Sequence, residues 1–462
     1  MLPAEFSLVI FSLLILVATV WFCRNQKQDW LGVGLALSLL APTWCVWTFE
    51  GTRIDTTAVI AVVLLILYCF HSGANIFSGL GLCDVAMVAL VVWQCVVDFR
   101  YEGVSWWVPA RAYGEWGVPY FAGRLAMIRR GAVPSLAPWF VGVTITITVL
   151  AVVESITGCN VWDTVITPID DSVTRPLGRR YDLLYRATGP VRHPIFLGIV
   201  FGLLSPWAVS LCGRSSGSWR RWGWVGFAAV VIGVLSTVSR GPILGLLIGS
   251  LAWMSVSSRK ACYAIAVLCI LVGAVVYARW DSVMQTIDYG IESSQRGKIV
   301  TVDGQAEVFT GTNNRLFVWR VYGPLVLQGG AFGYGSEATS TFPPEIPGLP
   351  SDEKSRQRLG IVDNSFVLIG LRLGLVGLAI FIVLILLALW ESVRWMETAD
   401  TLLAEGASLY FKTAFCSILS VSLVLVTVYF EWDFSFWFLF HLGTVGGLVS
   451  ARKLSLRGRL TE

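Results

Sequence analysis

The chain is organised around one long polar stretch that separates two apolar runs. The first run is ACYAIAVLCILVGAVVY (residues 261–277), the second extends from Asn364 to Leu389, and each is long enough to cross the hydrocarbon of a membrane. The stretch between them, Arg279–Val362, contains NNRLFVWR (residues 313–320) and a turn-rich run from Gly329 to Gly335. This stretch predicts a large loop outside the membrane that acts as a lid over a site where water-soluble groups react.

Composition places the rest of the chain in a membrane. Of 462 residues, 55% are hydrophobic and 14% are charged, whereas ordinary globular domains have about 25% charged residues. Trp and Tyr lie at the ends of the apolar runs, as they do at membrane interfaces, and the cysteine spacing predicts neither a disulfide framework nor a metal site. We predict an all-α polytopic membrane protein with about 12 transmembrane helices, over residues 4–23, 30–49, 55–70, 81–98, 135–156, 194–212, 222–238, 241–256, 261–277, 363–389, 410–429 and 433–450.

The distribution of Lys and Arg sets the orientation of these spans. Most of them fall in the connections of one side, whereas the short connections of the other side hold only Arg24, Lys27 and Arg240. By the positive-inside rule both termini are cytoplasmic. On the inner side, the amphipathic run Tyr120–Arg130 predicts an interfacial helix, or a structural cytoplasmic helix as the alternative. The predicted organisation is helices 1–9 in residues 1–278, a large periplasmic loop in 279–362, and helices 10–12 with a cytoplasmic tail in 363–462.

Arginines in the outer segments predict an anionic ligand. Arg186 and Arg192 flank a Gly-Pro turn just before a span, and a guanidinium fork suits phosphate oxygens, to which a helix N-terminus adds partial positive charge. Headgroup anchoring is the alternative for both. His193 is a candidate base, with a structural hydrogen-bonding role as its alternative. Arg240 lies between two spans, where an unpaired charge costs several kcal/mol, so we predict a functional role over simple snorkelling.

Two further clusters lie in and after the long loop. Arg315 and Trp319 share one face of a short predicted helix that leaves Arg320 off that face; a solvated surface helix is the alternative. Asp363 opens the tenth predicted span, with capping of that helix as its alternative role. Arg372, nine residues on, is predicted to lie opposite Asp363 and to face a partner inside the bundle. No nucleotide-binding, zinc-protease or hydrolase motif is present, so ATP and nucleotide-sugar chemistry are not expected.

Together these motifs resemble the bacterial O-antigen ligase and O-antigen or exopolysaccharide polymerase superfamily. The matching features occur in the family's order between residues 135 and 390: Glu154-Ser155-Ile156-Thr157-Gly158, Arg186-Ala187-x-Gly189 with His193-Pro194, Ser239-Arg240-Gly241, Arg315-x3-Trp319 with Gly333-x-Gly335, and Asp363-Asn364 with Gly374-x2-Gly377.

The resemblance implies a membrane glycosyltransferase of GT-C-like architecture in the bacterial inner membrane, inverting, independent of metal and without a cofactor. Its donor would be an undecaprenyl-diphosphate-linked glycan at the periplasmic face, and its acceptor a glycan or lipid-linked glycan. A chain-length-regulating membrane protein is a further expected partner, and nucleic acid is not. The implied roles are donor diphosphate binding by Arg240 and Arg315 with Arg186 or Arg192, base chemistry by Asp363, His193 or Glu337, and support by Asn364, Arg320 and Arg372.

The sequence also departs from the family's pattern. Many members, the ligases in particular, have His-Asn where this chain has Asp363-Asn364, and an acidic residue is frequent at the position of Arg372. The missing histidine favours a polymerase of lipid-linked units over a ligase that transfers the glycan to lipid A core. A polysaccharide or lipid transporter is the alternative from another class, for which broken helices, paired charges near the midplane and repeat symmetry are expected.

Overall fold

The computed structural model describes residues 4–24, 29–49, 52–72, 78–166, 179–180, 184–278, 299–302, 305–308, 311–341, 343–349 and 362–460. Helices dominate, and the strands pair as short antiparallel hairpins, β1 (Val46–Phe49) with β2 (Thr52–Asp55), β3 (Arg179–Arg180) with β4 (Leu184–Tyr185), and β5 (Ile299–Val302) with β6 (Gln305–Val308). The helices are α1 (Ala4–Phe22), α2 (Trp30–Ser38), α3 (Thr56–Ser72), α4 (Leu82–Glu102), α5 (Trp107–Ala112), α6 (Val118–Met127), α7 (Ala132–Thr157), α8 (Val161–Val165), α9 (Pro194–Cys212), α10 (Gly217–Ser236), α11 (Arg240–Ser257), α12 (Arg259–Ala278), α13 (Gly311–Gly329), α14 (Ser365–Trp395), α15 (Ala399–Leu402), α16 (Ala407–Val424) and α17 (Trp432–Leu460).

The chain is a polytopic helical membrane protein, as predicted. Within the described residues, seven helices are long and apolar enough to cross a membrane, namely α1, α4, α7, α9, α14, α16 and α17. These seven correspond to seven of the twelve predicted spans. The prediction of one continuous span over residues 30–49 is wrong, because α2 ends at Ser38 and the β1–β2 hairpin begins at Val46.

The bundle has two polar ends. Contacts between residues far apart in the sequence show which segments lie at each end. At the upper end, the Thr43 N–H donates to the Pro190 carbonyl at 2.8 Å and Arg192 pairs with Asp433. At the lower end, the Lys453 ammonium donates to the Leu80 carbonyl at 3.1 Å. The helix α17 therefore begins at the upper end and finishes at the lower one.

Residues 107–127 cross the bundle between these two ends. They comprise α5, a π-helical turn at Tyr113–Gly117 and α6. Arg124 of α6 is fully buried and pairs with Asp84 at 2.8 Å. The prediction of an interfacial or cytoplasmic helix at Tyr120–Arg130 is therefore wrong. The segment can cross the bundle despite its low hydropathy. Its charges pair with protein groups, so it does not need a continuously apolar surface.

This additional crossing reverses the direction of every helix before it. Helix α1 starts at the upper end, where Leu8 packs with Trp44 and Trp162, while α17 ends at the lower one. The first and last described residues, Ala4 and Leu460, thus lie at opposite ends of the bundle, in disagreement with the prediction that both termini share one side. Arg24, an exception to the charge rule in the predicted topology, follows α1 at the lower end, near the pair of Asp29 with Arg129.

Close contact between α6 and α17 holds the missed crossing in place. A Cβ atom added at Gly123, Gly443 or Gly447 would overlap a backbone carbonyl oxygen of the other helix. Small residues let the two backbones touch, which is how helices associate where lipid removes the hydrophobic driving force. Larger side chains at these three positions would separate α6 from α17.

Candidate functional site

Helix α14 is folded back on itself at its upper part. Gly374 has φ 68° and ψ −173°, which interrupts the helix. In a straight helix Phe366 and Phe381 would be separated by about 22 Å, yet their ring centroids are 6.0 Å apart. The short segment before the break, residues 365–373, therefore returns alongside the longer segment after it; we call these segments the first and second halves of α14. The start of α14 lies inside the bundle below the level of the break.

The break in α14 is closed by residues 330–335, the glycine-rich end of the long loop. The Tyr334 N–H donates to the Leu371 carbonyl at 2.7 Å, and the Leu375 N–H donates to the Gly330 carbonyl at 2.8 Å. A helix can be interrupted at membrane depth only where other groups satisfy its free backbone atoms. The loop and the broken helix are thus one structural unit.

Helix α13 follows the first half of α14 in the same direction. Val326 lies against Gly370, and Gly330 bonds to Leu375 four to five residues further along both segments. The early turns of α13, where the backbones of Arg315 and Arg320 are located, consequently lie toward the Asp363 end of α14 rather than toward its break. The side chains of these two arginines are outside the described part of the structure.

Asn364 caps the first half of α14. Its side-chain oxygen accepts from the Val367 N–H at 2.9 Å, and its amide donates to the Val426 carbonyl at 2.7 Å. The capping role considered for Asp363 is therefore wrong, since Asn364 fills it. The charge of Asp363 contributes, after burial and two other carboxylates, to a raised pKa of Tyr429. Asp363 thus lies within electrostatic range of the connection between α16 and α17.

The arginine-rich loop before α9 is shaped by a buried carboxylate. Glu154, at the end of α7, accepts from the backbone N–H groups of Thr188 at 3.0 Å and Gly189 at 2.8 Å. Gly189 has φ 57°, a conformation that favours glycine. The loop conformation is therefore fixed immediately after Arg186, whose Nη2 donates to the Ser239 hydroxyl at 3.1 Å. This bond joins the loop that contains Arg186 and Arg192 to the junction that contains Ser239 and Arg240.

Arg192 is held by two carboxylates of the α16–α17 connection. Its Nη2 lies 2.5 Å from Glu431 and its Nε 3.0 Å from Asp433. Although burial opposes the charge, these carboxylates keep the pKa of Arg192 above its ordinary value. Neither Glu431 nor Asp433 was predicted as a site residue. The sequence Glu431-Trp432-Asp433, two acids at the outer end of a span, was the signal that could have revealed them as counter-charges.

His193 offers a hydrogen-bond donor at the mouth of α9. Its Nδ1 accepts from the Ile195 N–H at 3.2 Å, and Pro194 follows at the first helical position. Burial, with the nearby charge of Arg186, lowers the pKa of His193 to about 4, so the ring is neutral at pH 7. A neutral imidazole that accepts at Nδ1 carries its proton at Nε2.

Arg240 begins α11 beside a strained residue. Val238 has φ 46°, and a β-branched residue in this region costs about 1–3 kcal/mol, which persists where surrounding structure imposes it, often at functional sites. Arg240 is exposed, and Ser239 before it is buried and accepts from Arg186. The sharp α10–α11 junction thus places Arg240 directly after the serine that binds Arg186, at the upper end.

An apolar groove lies within the bundle near the corner formed by Arg186, Ser239 and Arg240, which we call the arginine corner. The cavity has a volume of about 510 Å³ and lies between α9, α10, α11 and α16. Gly198 and Pro242 line its upper part, close in sequence to His193 and Arg240, and Trp253 lines its lower part. The cations Arg186 and Arg240 therefore lie at the same end of the bundle as the upper part of this apolar cleft.

Glu337 and Arg372 lie on a different flank of the upper end. The backbone N–H of Glu337 donates to Glu102 of α4 at 3.2 Å, and Arg372 pairs with Glu115 at 3.2 Å. The ring of Trp116 stacks on Phe430 at 5.5 Å and separates this flank from the α16–α17 connection. The prediction that Arg372 has a partner within the bundle is confirmed. Asp363 precedes the N-cap Asn364 and so lies outside α14; the expectation that Arg372 lies opposite Asp363 around the helix stays a prediction.

The described residues define a membrane protein with an arginine corner above an apolar cleft. Within the described ranges, no group of three His, Cys, Asp or Glu side chains is placed to hold a metal ion. Residues 225–382, roughly a third of the chain, match the family model described as O-antigen ligase. This match confirms the resemblance to the O-antigen ligase and polymerase superfamily. No curated protein matches the chain.

Proposed function

We propose that the protein is a glycosyltransferase that polymerises undecaprenyl-diphosphate-linked oligosaccharide units into a surface polysaccharide. The junction between the arginine corner and the apolar groove carries this proposal. A prenyl diphosphate has an anionic head joined to a long apolar tail. Arg186 bonds to Ser239, the residue before Arg240, and Pro242, two residues after Arg240, lines the upper part of the groove with Gly198. The head would bind the arginines while the first part of the tail enters the groove.

Arg186 and Arg240 would stabilise the departing diphosphate. Negative charge develops on the bridging oxygen as the sugar–phosphate bond breaks, and guanidinium groups aimed there lower the barrier. Arg315 would join them from α13, whose early turns lie toward Asp363, with Arg320 in support. His193 would donate its Nε2–H to a phosphate oxygen and would not act as a base, since its Nδ1 is engaged by Ile195.

Asp363 is the proposed general base. The acceptor hydroxyl would give its proton to Asp363 as its oxygen attacks the anomeric carbon, and the bond from that carbon to the diphosphate would break with inversion. Asn364 would fix the position of Asp363 through its cap and its bond to Val426. Glu337 is the weaker candidate because its flank is separated from the arginine corner. Arg192, already paired twice, would hold the loop.

The charge distribution supports a periplasmic site. Basic residues are concentrated at the lower end and in the last turns of α17, which by the positive-inside rule would be cytoplasmic. The upper end would then face the periplasm of a bacterial inner membrane, with the N-terminal end of α1 on that side. The lower-end cations include Arg24, Arg129, Arg130, Arg214, Arg259, Lys260, Arg452 and Lys453.

Single substitution of Arg240 and Arg315 by Gln in cells tests the proposal, with Arg220→Gln on α10 as a matched control at the lower end. For a polymerase, we expect loss of long glycan chains and accumulation of single lipid-linked units in both variants, with an unchanged glycan in the control. An unchanged glycan in the two site variants would reject the proposal.

A ligase is the second candidate, because the matched family model carries that description. It would instead give long lipid-linked chains that are not attached to lipid A core. A transporter is the third, and two structural observations favour it: α14 is a broken helix, and the buried pair Arg124–Asp84 lies within the bundle. A transporter defect would trap lipid-linked units on the cytoplasmic side. An impermeant glycan-oxidising reagent would then fail to reach these units, whereas it would reach units that accumulate on the outer side.

A further inference from the structure

Four segments meet in a polar cluster beside the break in α14. We call it the Arg372 cluster and define it by Gln94 and Asp98 of α4, Glu115 of the π-helical turn, Ser336 after the long loop, and Arg372. Arg372 contacts Glu115 at 3.2 Å through Nη2 and donates from Nε to the Ser336 hydroxyl at 3.1 Å. Gln94 donates to the other Glu115 oxygen at 3.0 Å.

The cluster is also tied to the backbone on both sides of the break. Asp98 accepts from the Ser336 N–H at 2.9 Å and from its hydroxyl at 2.8 Å. The Arg372 carbonyl accepts from the Gly335 N–H at 3.0 Å, and Gly374 follows two residues later. Side-chain and backbone contacts of Arg372 thus act at the hinge point of the folded helix.

A charge pair in this position resists movement. The side chains of Glu115 and Arg372 are 10% and 25% exposed, and a charge left without its partner in such surroundings is strongly unfavourable. The π-helical turn, a feature that is frequent at functional sites, brings Glu115 to this point. Any rotation of the first half of α14 away from the second would separate the pair.

Small rotations at Gly374 would be magnified at the candidate base. The nine residues 365–373 span about 14 Å, so a rotation of about 10° moves Asn364 by about 2 Å. A misplacement of about 1 Å can cost about 100-fold in rate. The angle at the break therefore controls whether Asp363 can reach an acceptor hydroxyl.

We infer that Glu115 and Arg372 form a positioning pair that sets the angle of α14 at Gly374 and thereby the place of Asp363 and Asn364. The effect on turnover rests on the proposed function, whereas the effect on geometry does not. The pair was invisible in the sequence because Glu115 lies in the missed crossing and is far from Arg372 along the chain.

A disulfide reporter tests the geometry without reference to activity. The Ser365 hydroxyl donates to the Val428 carbonyl at 2.6 Å, so the backbones of these residues are close at the tip of the folded-back half, and Ser365→Cys with Val428→Cys serves as the reporter pair. The linked peptides would be quantified by mass spectrometry after mild oxidation of the full-length protein in membranes. This would be done for Glu115→Gln, for Arg372→Gln, for the charge-exchanged pair Glu115→Arg with Arg372→Glu, and for Glu405→Gln as a lower-end control.

We expect each single variant to lower the disulfide yield at least about fivefold and the exchanged pair to restore it to within about twofold. Without the reporter cysteines, the single variants should lose kcat with KM for the lipid-linked donor nearly unchanged, and the exchanged pair should recover. An unchanged disulfide yield in the single variants would overturn the inference, even if activity were lost. If Arg240 proved irrelevant to the glycan, the proposed function would fail while the disulfide result still decided the geometry.

Discussion

The hydrogen bond between Arg186 and Ser239 gives the sharpest test of the arginine corner. Arg186 donates to the Ser239 hydroxyl at 3.1 Å, and that hydroxyl in turn donates to the Thr237 carbonyl at 3.0 Å. Ser239 therefore orients Arg186 and is itself anchored. If Arg186 binds the donor diphosphate, Ser239 contributes to catalysis only through Arg186.

The magnitudes follow from this chain of contacts. Arg186→Gln removes a charged donor to the leaving group, which we expect to lower kcat/KM about 100- to 1000-fold, or about 3–4 kcal/mol. Ser239→Ala removes both hydrogen bonds of this hydroxyl; the one that orients Arg186 is worth about 1 kcal/mol, so kcat/KM should fall about fivefold. Because the second effect acts through the first, the double variant should be no worse than Arg186→Gln alone.

The assay measures turnover of lipid-linked units, isolated from cells that lack the protein, by the purified variants in lipid nanodiscs. Ser205→Ala is the matched control, since Ser205 lines the groove and its hydroxyl bonds only within its own helix, to the Gly202 carbonyl at 2.7 Å. Effects of Arg186→Gln and Ser239→Ala that add in full in the double variant would refute the reasoning. So would a loss in Ser239→Ala as large as that in Arg186→Gln.

Four further predictions concern the groove and the polar ends. Gly202→Phe, which points into open space in the groove, should raise KM for the lipid-linked donor about tenfold, whereas Gly142→Phe, equally unobstructed but outside the groove, should not; equal effects would argue against a tail site. His193→Asn keeps an N-cap acceptor and a donor, so it should retain activity within about tenfold, while His193→Asp should lose about 100-fold; since the pKa of His193 is lowered to about 4, an activity inflection near pH 6.5 that vanishes in His193→Asn would contradict the donor role. Burial, with the charge of Asp433, raises the pKa of Asp55 to about 6. The protonated form of Asp55 therefore stabilises the fold at low pH, and this stabilisation is lost as the pH rises through 6. Asp55→Asn should raise the unfolding free energy by on the order of 1–3 kcal/mol at pH 8 and much less at pH 4, and a destabilised variant at pH 8 would count against this prediction. Arg124→Gln leaves Asp84 buried without its cationic partner and should cost about 3–5 kcal/mol, seen as a lower melting temperature in detergent; an unchanged melting temperature would show that the pair is not stabilising.

Sequence reasoning succeeded where a single segment carried the signal. Long apolar runs predicted seven helices of the bundle, Pro194 marked the start of α9, and the predicted span from residue 241 began one residue after the start of α11. The clustering of the Arg186 loop with the Ser239-Arg240 corner also followed from the predicted topology, because both fall on the same side of their spans. The bond between Arg186 and Ser239 agrees with that placement.

Features whose buried charges or backbone groups are paired with residues far away in the sequence were not predicted. Residues 107–127 read as too polar to cross the bundle, since the carboxylate of Asp84 that neutralises Arg124 is forty residues away in the sequence. That single omission inverted the direction of the chain before α7. The break at Gly374 was equally hidden, because the groups that close it come from residues 330–335.

The pairing of Arg192 shows the same limit at the scale of one side chain. A loop arginine beside a Gly-Pro turn reads as a phosphate ligand, and only the fold brings Glu431 and Asp433 to it. Arg186, six residues earlier, looked equivalent in the sequence. The structure separates the two by their partners, a hydroxyl for Arg186 and two carboxylates for Arg192.

The central claim is that guanidinium groups from separate parts of the chain bind one lipid diphosphate at the upper end of the groove. An experimental structure of the protein with undecaprenyl diphosphate in nanodiscs tests it most directly. We expect the diphosphate between Arg186, Arg240 and Arg315, with the tail leaving past Gly198 and Pro242. A diphosphate bound at the lower end, or an Arg315 side chain directed away from Arg240 in the occupied state, would contradict the account.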